Sequence, residues 1–176
     1  MYLISLYFDD KSNSILQRYI DRVAAATGNT FMQDHNVPPH MTLTAVEARS
    51  VDVLVPAFES LRGKVDRGEI QFVSLGQLLP YVFYVTPVLN DYLSNLLKTV
   101  YDEFKTVPET SVSRFYKPSS WLPHVTVGKT LSKEQMLKAL DSMQGDFSPF
   151  TATVTRIGLA KVNPHEDVSS ILLEQK

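Results

Sequence analysis

Two short segments, Pro39-His40-Met41-Thr42-Leu43 and Pro123-His124-Val125-Thr126-Val127, decide how this chain of 176 residues is interpreted. Each has a proline before a histidine and a threonine two residues after it. The chain has 4 histidines and 10 prolines, so chance would give this pattern at two of the histidines about once in ten thousand sequences. The separation of the two segments is far longer than a solenoid repeat, and we therefore expect a duplicated unit.

The same order of predicted elements surrounds both segments: a strand, a helix, a strand that begins at Pro-His, a helix and a further strand. The expected strands cover residues 2–8, 40–47, 70–79, 81–86, 125–130, 150–162 and 169–174. Apolar stripes with helical spacing cover 15–24, 51–61, 89–104 and 136–140, and the stretch 106–123 has no period. The pattern predicts one α+β domain, with pseudo-repeats 1–79 and 81–176 related by a two-fold axis. Its largely antiparallel sheets carry helices on their outer faces, and the two lobes enclose a central cleft.

The composition excludes several classes of protein. With 44% hydrophobic residues the chain is not disordered, and it has no long uncharged apolar run that would span a membrane. It has no cysteine, which excludes disulfides and thiol catalysis, and the run 1–8 is too short for a secretory signal. The net charge of −2 gives no polybasic surface for long duplexes. We expect a cytoplasmic monomer that binds a small substrate or a short nucleic-acid end.

Strand geometry predicts how the two segments present their polar side chains. Side chains at i and i+2 of a strand share a face, so His40 lies beside Thr42 and His124 beside Thr126. The same alternation places Thr44 on the face of His40, where it is a strand residue. Folding about a two-fold axis brings the pairs to opposite walls of one cleft. Two imidazoles then serve as acid and base, and two hydroxyls donate to a phosphate, which suits in-line displacement at phosphorus without a metal.

Other side chains are candidates for contacts with a substrate. The long aromatic and basic loop 113–121 offers Arg114 for phosphates and Tyr116 or Trp121 for stacking on a base. The alternative is that buried aromatic rings pin this loop. Tyr7 and Tyr84 line the cleft or pack in the core, and residues alone do not decide between these two roles.

The remaining histidines are not predicted to act. His35 and His165 stand in turn-like segments and are expected to be exposed loop residues. A metal site of Asp34, His35, His40 and His124 is disfavoured because the chain has no pair of histidines at helical spacing. No glycine-rich phosphate loop is present, so we predict neither a metal nor another cofactor.

The paired motifs and the repeated strand–helix order resemble the 2H phosphoesterase superfamily, which includes bacterial 2′-5′ RNA ligases and cyclic nucleotide phosphodiesterases. The resemblance covers nearly the whole chain and is specific at His40, Thr42, His124 and Thr126. It implies hydrolysis of 2′,3′-cyclic phosphates or 2′-5′ linkages by these four residues. It also implies a basic residue soon after the second motif, where Lys129 stands, whereas strand alternation points Lys129 away from His124.

The mechanism that the resemblance implies has three parts. The threonines hold the non-bridging oxygens, one neutral histidine takes a proton from the attacking water, and the other, protonated, gives one to the leaving ribose oxygen. The reverse reaction would be ligation. Which histidine is the base stays open, and so do two alternatives: a nucleotide-binding or RNA-binding module without turnover, and a structural duplicated domain with incidental histidines.

Overall fold

Eight antiparallel strands make up the sheet of this protein, which a computed structural model describes for residues 1–162 and 165–174. They are β1 (Tyr2–Phe8), β2 (Met41–Glu47), β3 (Gly68–Leu78), β4 (Val82–Pro87), β5 (Ser111–Val112), β6 (Val125–Gly128), β7 (Phe150–Lys161) and β8 (Glu166–Leu172). The strand order is β1-β2-β6-β4-β3-β7-β8, with β5 paired to β2. Because β1 also pairs with β7, the sheet closes on itself. The predicted α+β class with antiparallel pairing is confirmed, and the strands form one continuous sheet.

Five helices accompany the strands in the described part of the chain. They are α1 (Asp10–Thr27), α2 (Phe31–Asp34), α3 (Val55–Glu59), α4 (Asp91–Phe104) and α5 (Lys133–Gln144). Side chains at their N-termini satisfy free backbone N–H groups: Asp9 accepts from the N–H of Ser12, and Asn90 from that of Leu93. Ser132 and Gln135 form a capping box at the start of α5.

Some element boundaries differ from the sequence-based expectation. The apolar stripe 51–61 is divided into a 3₁₀ turn (Val51–Val53) and the short helix α3, whose first turn holds Pro56. The stretch 106–123 contains β5 and a second 3₁₀ turn (Arg114–Tyr116). Strand β8 begins at Glu166, earlier than predicted, and residues 163 and 164 of the expected turn lie outside the described residues.

The core is built from one face of the sheet and the apolar stripes of α1 and α4. Fully or nearly fully buried side chains include Ile4, Leu6, Leu16, Ile20, Met41, Phe72, Phe83, Leu93, Val100, Phe104, Val125 and Ile157. Each such side chain contributes about 1.5–3 kcal/mol by leaving water. Along β1, Ile4 and Leu6 enter this core, which directs Ser5 and Tyr7 to the other face of the sheet.

Strands β2 and β6 join at one residue pair, Met41 opposite Val125. Both of these side chains are fully buried in the core. They are the middle residues of the two Pro-His-x-Thr segments, so the two segments meet edge to edge in the sheet. The duplicated two-lobed organisation stays a prediction. It requires the two motifs to lie close together, and they meet at this junction.

Candidate active site

The pairing of Met41 with Val125 fixes how the two motifs face each other. Residues that flank one member of an antiparallel pair lie opposite those that flank the other, in reverse order. His40 is therefore opposite Thr126, and Thr42 is opposite His124. All four side chains line one cavity of about 460 Å³, a volume that suits a small ligand.

Two rows of side chains cross the sheet on this face. One row runs from Arg156 through Tyr7, His40 and Thr126 to Tyr84, and the other from Gly158 through Ser5, Thr42 and His124 to Thr86. The histidines and threonines occupy the centre of these rows. Each imidazole thus has a hydroxyl beside it on its own strand and a second one across the β2–β6 junction.

Both imidazoles are held by the backbone in the same way. Nδ1 of His40 lies 2.7 Å from the carbonyl oxygen of Pro38, and Nδ1 of His124 lies 2.9 Å from that of Leu122. A carbonyl only accepts, so each Nδ1 carries the proton and donates it, which leaves Nε2 with the free lone pair. The proline between the carbonyl and the histidine fixes φ near −65° and holds this turn. The proline of the motif therefore has a physical role.

Burial lowers the pKa of both histidines below its ordinary value. For His40, the hydrogen bond to Pro38 opposes this effect, and the positive charges of His165, His124 and Lys129 lower the pKa further. For His124, the effect of burial is opposed by the hydrogen bond to Leu122. Both rings are therefore mainly neutral at pH 7, and the charges beside His40 favour its neutral form.

The two threonines differ in their surroundings. Thr42 is buried, with its Oγ1 atom 3.4 Å from Oγ of Ser5, while Thr126 is half-buried. The expectation for Thr44 is wrong: a bulge between Ile4 and Ser5 shifts the register, so that Thr44 pairs with Ile4 on the core face. Its buried hydroxyl has no hydrogen-bond partner within the described part of the chain.

A tyrosine packs beside each histidine. The ring centroids of Tyr7 and His40 are 6.3 Å apart, and those of Tyr84 and His124 are 5.2 Å apart. Both tyrosines are buried and neither lines the cavity. Burial, with the negative charge of Asp167, raises the pKa of Tyr7 to about 12, so its hydroxyl stays protonated. The tyrosines support the histidines and do not form the wall of the cleft.

Each tyrosine ring lies over a glycine of the neighbouring strand. A Cβ at Gly76 would be 2.3 Å from Cζ of Tyr84, and a Cβ at Gly158 would be 2.8 Å from Cε2 of Tyr7. Any larger residue would push the ring aside. The two glycines therefore leave room for the tyrosine rings, which pack beside the histidines.

The loop before the second motif borders the cavity and is tied to β2. Nε1 of Trp121 donates to the carbonyl oxygen of Thr42 at 2.9 Å, and Trp121 and Tyr116 both line the cavity. Arg114 is not among the residues that line the cavity, and its guanidinium lies over the ring of Phe115. The position of Arg114 therefore does not match its expected role at the site. The alternative, a loop held in place by buried aromatic rings, fits Trp121.

Several residues that line the cavity were not predicted from the sequence. The apolar wall includes Leu3, Met32, Val37, Leu78, Val82, Phe115 and Leu122. Phe115 is 63% exposed and offers its ring at the edge of the cavity. No motif signals these residues, because their apolar character alone is also typical of a core.

Lys129 also lines the cavity. Strand β6 ends at Gly128, so the alternation that pointed Lys129 away from His124 does not extend to it. Its Nζ atom lies 5.6 Å from the ring centroid of Phe31 on α2. The position agrees with the basic residue that the family resemblance implies.

The two remaining histidines, His35 and His165, differ in their surroundings. His35 is exposed, stacked on Phe31, and Asp34 accepts a hydrogen bond from Thr30. His165 is not an exposed loop residue: its side chain is 22% exposed and its Nε2 atom lies 3.2 Å from Asp167. Its charge also reaches His40.

Residues 1–162 and 165–174 contain neither a cluster of metal-binding side chains nor a membrane-spanning helix. No group of three or more histidine, aspartate or glutamate side chains there is arranged to hold a metal ion. No helix in these ranges is both long enough and apolar enough to cross a bilayer.

Solved structures with the same fold include three that align over almost the entire chain. They are Escherichia coli LigT complexed with 3′-AMP (TM-score 0.67, 13% identity, 99% of this chain and 98% of that one), a phosphoesterase (0.68, 14%, 99% and 98%) and the Thermus thermophilus protein TT0787 (0.61, 13%, 98% and 97%). At these identities the similarity establishes the fold alone. No curated protein matches the sequence.

The sequence profile of the 2′-5′ RNA ligase superfamily matches residues 13–166. The match spans most of the chain and includes both motifs, and it confirms the resemblance to the 2H phosphoesterases. The chain therefore belongs to the 2′-5′ RNA ligase superfamily.

Proposed function

We propose that this protein is a metal-independent phosphodiesterase that hydrolyses 2′,3′-cyclic phosphate or 2′-5′-linked ends of nucleotides or RNA. The observation that carries the proposal is the convergence of His40, Thr42, His124 and Thr126 on one cavity, with Nε2 free on both imidazoles. An acid, a base and two hydroxyl donors supply what in-line displacement at phosphorus requires.

The cyclic phosphodiester binds between β2 and β6, where Thr42 and Thr126 donate hydrogen bonds to its non-bridging oxygens. A neutral histidine takes a proton from water through Nε2 as the water oxygen bonds to phosphorus. The bond from phosphorus to one ribose oxygen breaks, and the protonated histidine gives that oxygen its proton. The product is a phosphomonoester beside a free hydroxyl. Each proton transfer accelerates such reactions ~100- to 10,000-fold.

The surroundings of the two rings favour one assignment of acid and base. The charges of His165 and Lys129 add to the effect of burial at His40, whereas burial is what lowers the pKa at His124. In a coupled pair of this kind the proton resides on the group with the less depressed pKa. His40 is then the base and His124 the acid in cyclic phosphate hydrolysis.

The apolar part of the cavity suits the base and sugar of a nucleotide. Phe115 and Tyr116 offer ring faces for stacking, which contributes about 1–3 kcal/mol per base in proteins that bind single strands, and Leu122 adds an apolar contact. The structure of LigT was solved with 3′-AMP and with ATP, so a relative of the same fold binds nucleotides. Both facts support a nucleotide or RNA end as the substrate.

Turnover in the presence of EDTA tests the proposal. The four nucleoside 2′,3′-cyclic phosphates, 2′-5′-linked dinucleotides and an RNA with a cyclic end plus a 5′-hydroxyl acceptor form the panel. We expect hydrolysis to survive chelation. His40→Ala and His124→Ala are each expected to reduce its rate at least about a thousandfold. His35→Ala, in an exposed histidine, is the control with unchanged rates. Binding without turnover by the wild-type protein would favour the alternative of a binding module.

An activated leaving group tests the assignment of the two histidines. Uridine 3′-(p-nitrophenyl phosphate) expels a phenolate that needs no proton. Its 2′-hydroxyl attacks the phosphorus, which is the reverse sense of cyclic phosphate hydrolysis, so the histidine that is the base in hydrolysis is the acid on this substrate. His40→Ala is therefore expected to recover most of its lost rate, whereas His124→Ala is not. The opposite result would reverse the roles, and recovery in neither variant would contradict the separation into acid and base.

A further inference from the structure

Arg156 on β7 lies on the same face of the sheet as the candidate catalytic residues. It pairs with Tyr7 across the β1–β7 ladder, and its Cζ atom is 3.9 Å from the centroid of the Tyr7 ring. That ring in turn packs beside His40. The guanidinium is therefore the next polar group after Tyr7 in the row that contains His40.

Arg156 has no counter-ion among the described residues. Arg22 and Arg62 each pair with a carboxylate, of Asp146 and Glu59, but no carboxylate lies within ion-pair distance of Arg156. Asp167 on the adjacent β8 is engaged with His165. A guanidinium stacked on an aromatic ring keeps its N–H groups in its own plane, directed to the side. It is thus a half-buried cation with donors available to an anion.

The position separates Arg156 from the place where the histidines are proposed to act on the phosphate. Arg156 is two strands away from His40, about 10 Å at the ordinary spacing of strands, and Tyr7 lies between them. This place in the row suits a second anionic group of the substrate. The nearest such group in a nucleic acid is the phosphate on the 5′ oxygen of the nucleotide that carries the cyclic phosphate.

We propose that Arg156 binds this upstream phosphate, so that the enzyme favours RNA ends over cyclic mononucleotides; the inference rests on the proposed function. An arginine suits the task because its fork of donors matches phosphate oxygens. The phosphate comes from an RNA chain or from a 5′-phosphorylated mononucleotide, and the experiment separates these sources.

Three substrates form the test: uridine 2′,3′-cyclic phosphate, its 5′-phosphorylated form, and the dinucleotide UpU with a 2′,3′-cyclic end. In the wild-type protein, kcat/KM for the dinucleotide is expected to exceed that for the first substrate about tenfold, mainly through KM. Arg156→Gln is expected to bring this ratio close to one, and to reduce the salt dependence of the dinucleotide reaction by about one charge. If kcat/KM rises by a similar factor for the 5′-phosphorylated mononucleotide, a phosphate alone is enough for Arg156. If it rises for the dinucleotide only, Arg156 requires the phosphate within an RNA chain.

Lys161→Gln is the matched control, because Lys161 is an exposed cation on the same strand, at a position that alternation directs to the other face. It is expected to leave the ratio unchanged, and Arg156→Lys, which retains a charge, to keep part of it. Equal loss for all three substrates in Arg156→Gln would overturn the proposal and assign Arg156 to the support of Tyr7. If no substrate is hydrolysed, the proposed function fails. Calorimetric titration with uridine 3′-phosphate and UpUp then decides whether Arg156 binds the second phosphate.

Discussion

At the residue scale, the imidazoles are oriented before any ligand arrives. Each donates Nδ1–H to a carbonyl two residues earlier, and the intervening proline holds that turn. The tautomer is thus set by the backbone of the motif itself and needs no carboxylate partner. This explains why a tetrapeptide was enough to predict the candidate acid and base.

The pKa directions predict an acidic optimum for the free enzyme. Burial holds the pKa of both His40 and His124 below 6.5, and the proposed reaction requires one ring protonated and the other neutral. The profile of kcat/KM should therefore be bell-shaped with its maximum below pH 6.5, falling at pH 7–8 as the acid loses its proton. A bound phosphate anion raises both pKa values, so the kcat profile should be displaced to higher pH. A kcat/KM maximum above pH 7 would contradict this interpretation.

Removal of one hydroxyl tests the role of the threonines. Thr42→Val and Thr126→Val keep the shape of the side chain and delete a donor to the phosphate. Each is expected to lower kcat/KM by about 1–3 kcal/mol of transition-state stabilisation. Thr151→Val, at an exposed position near the start of β7, serves as the control. Unchanged kinetics at Thr42 and Thr126 would remove both from the mechanism.

The sequence was a weaker guide to side chains that lie outside the two motifs. His165 was predicted to be exposed and instead contacts Asp167 close to His40. Arg156 carried no signal at all, because an arginine within a strand is usually a surface residue. Long-range pairing of β1 with β7 brings Arg156 to Tyr7, and such pairing cannot be read from local spacing.

At the element scale, strands were predicted well where polar and apolar residues alternate without interruption. Strand β1 matches its expected bounds, and α4, which Asn90 caps, begins at Asp91, close to the predicted residue. Alternation failed at two places, the bulge that turns Thr44 into the core and the end of β6 before Lys129. Both depend on the partner strand or on strand termination, which the local sequence does not specify.

The contact between β3 and β4 gives a prediction at this scale. Gly76→Ala would place a methyl group against the Tyr84 ring and displace it toward His124. We expect a loss of about 1–3 kcal/mol in the free energy of unfolding, measured with urea, together with a lower kcat. Gly145→Ala is the control, because a Cβ there meets nothing within 4 Å. A stable and fully active Gly76→Ala protein would show that the ring position is unimportant.

At the scale of the whole molecule, the sheet closes through β1 and β7 and passes the site at the β2–β6 junction. Closure depends on contacts that are distant in sequence, and the sequence indicated only antiparallel pairing. The two repeats were inferred from the paired motifs and from the repeated order of the elements around them.

Substitution at the junction tests its contribution to global stability. Met41→Ala removes a fully buried side chain from the one pair that joins β2 to β6. The expected cost is about 2–5 kcal/mol in urea unfolding. Leu137→Ala, at a 60% exposed position on α5, should change stability by less than about 0.5 kcal/mol. A comparable loss in both proteins would mean that the junction is not a special part of the core.

The opposition of His40 to Thr126 and of Thr42 to His124 has a last consequence. A ligand turned end for end at the junction would meet the same four groups in the same order. Its direction of docking therefore depends on the uneven charges at the periphery, among them Lys129 and His165. Relocating those charges to the His124 side would reverse the orientation of the ligand and exchange the tasks of the two imidazoles, with both tetrapeptides intact.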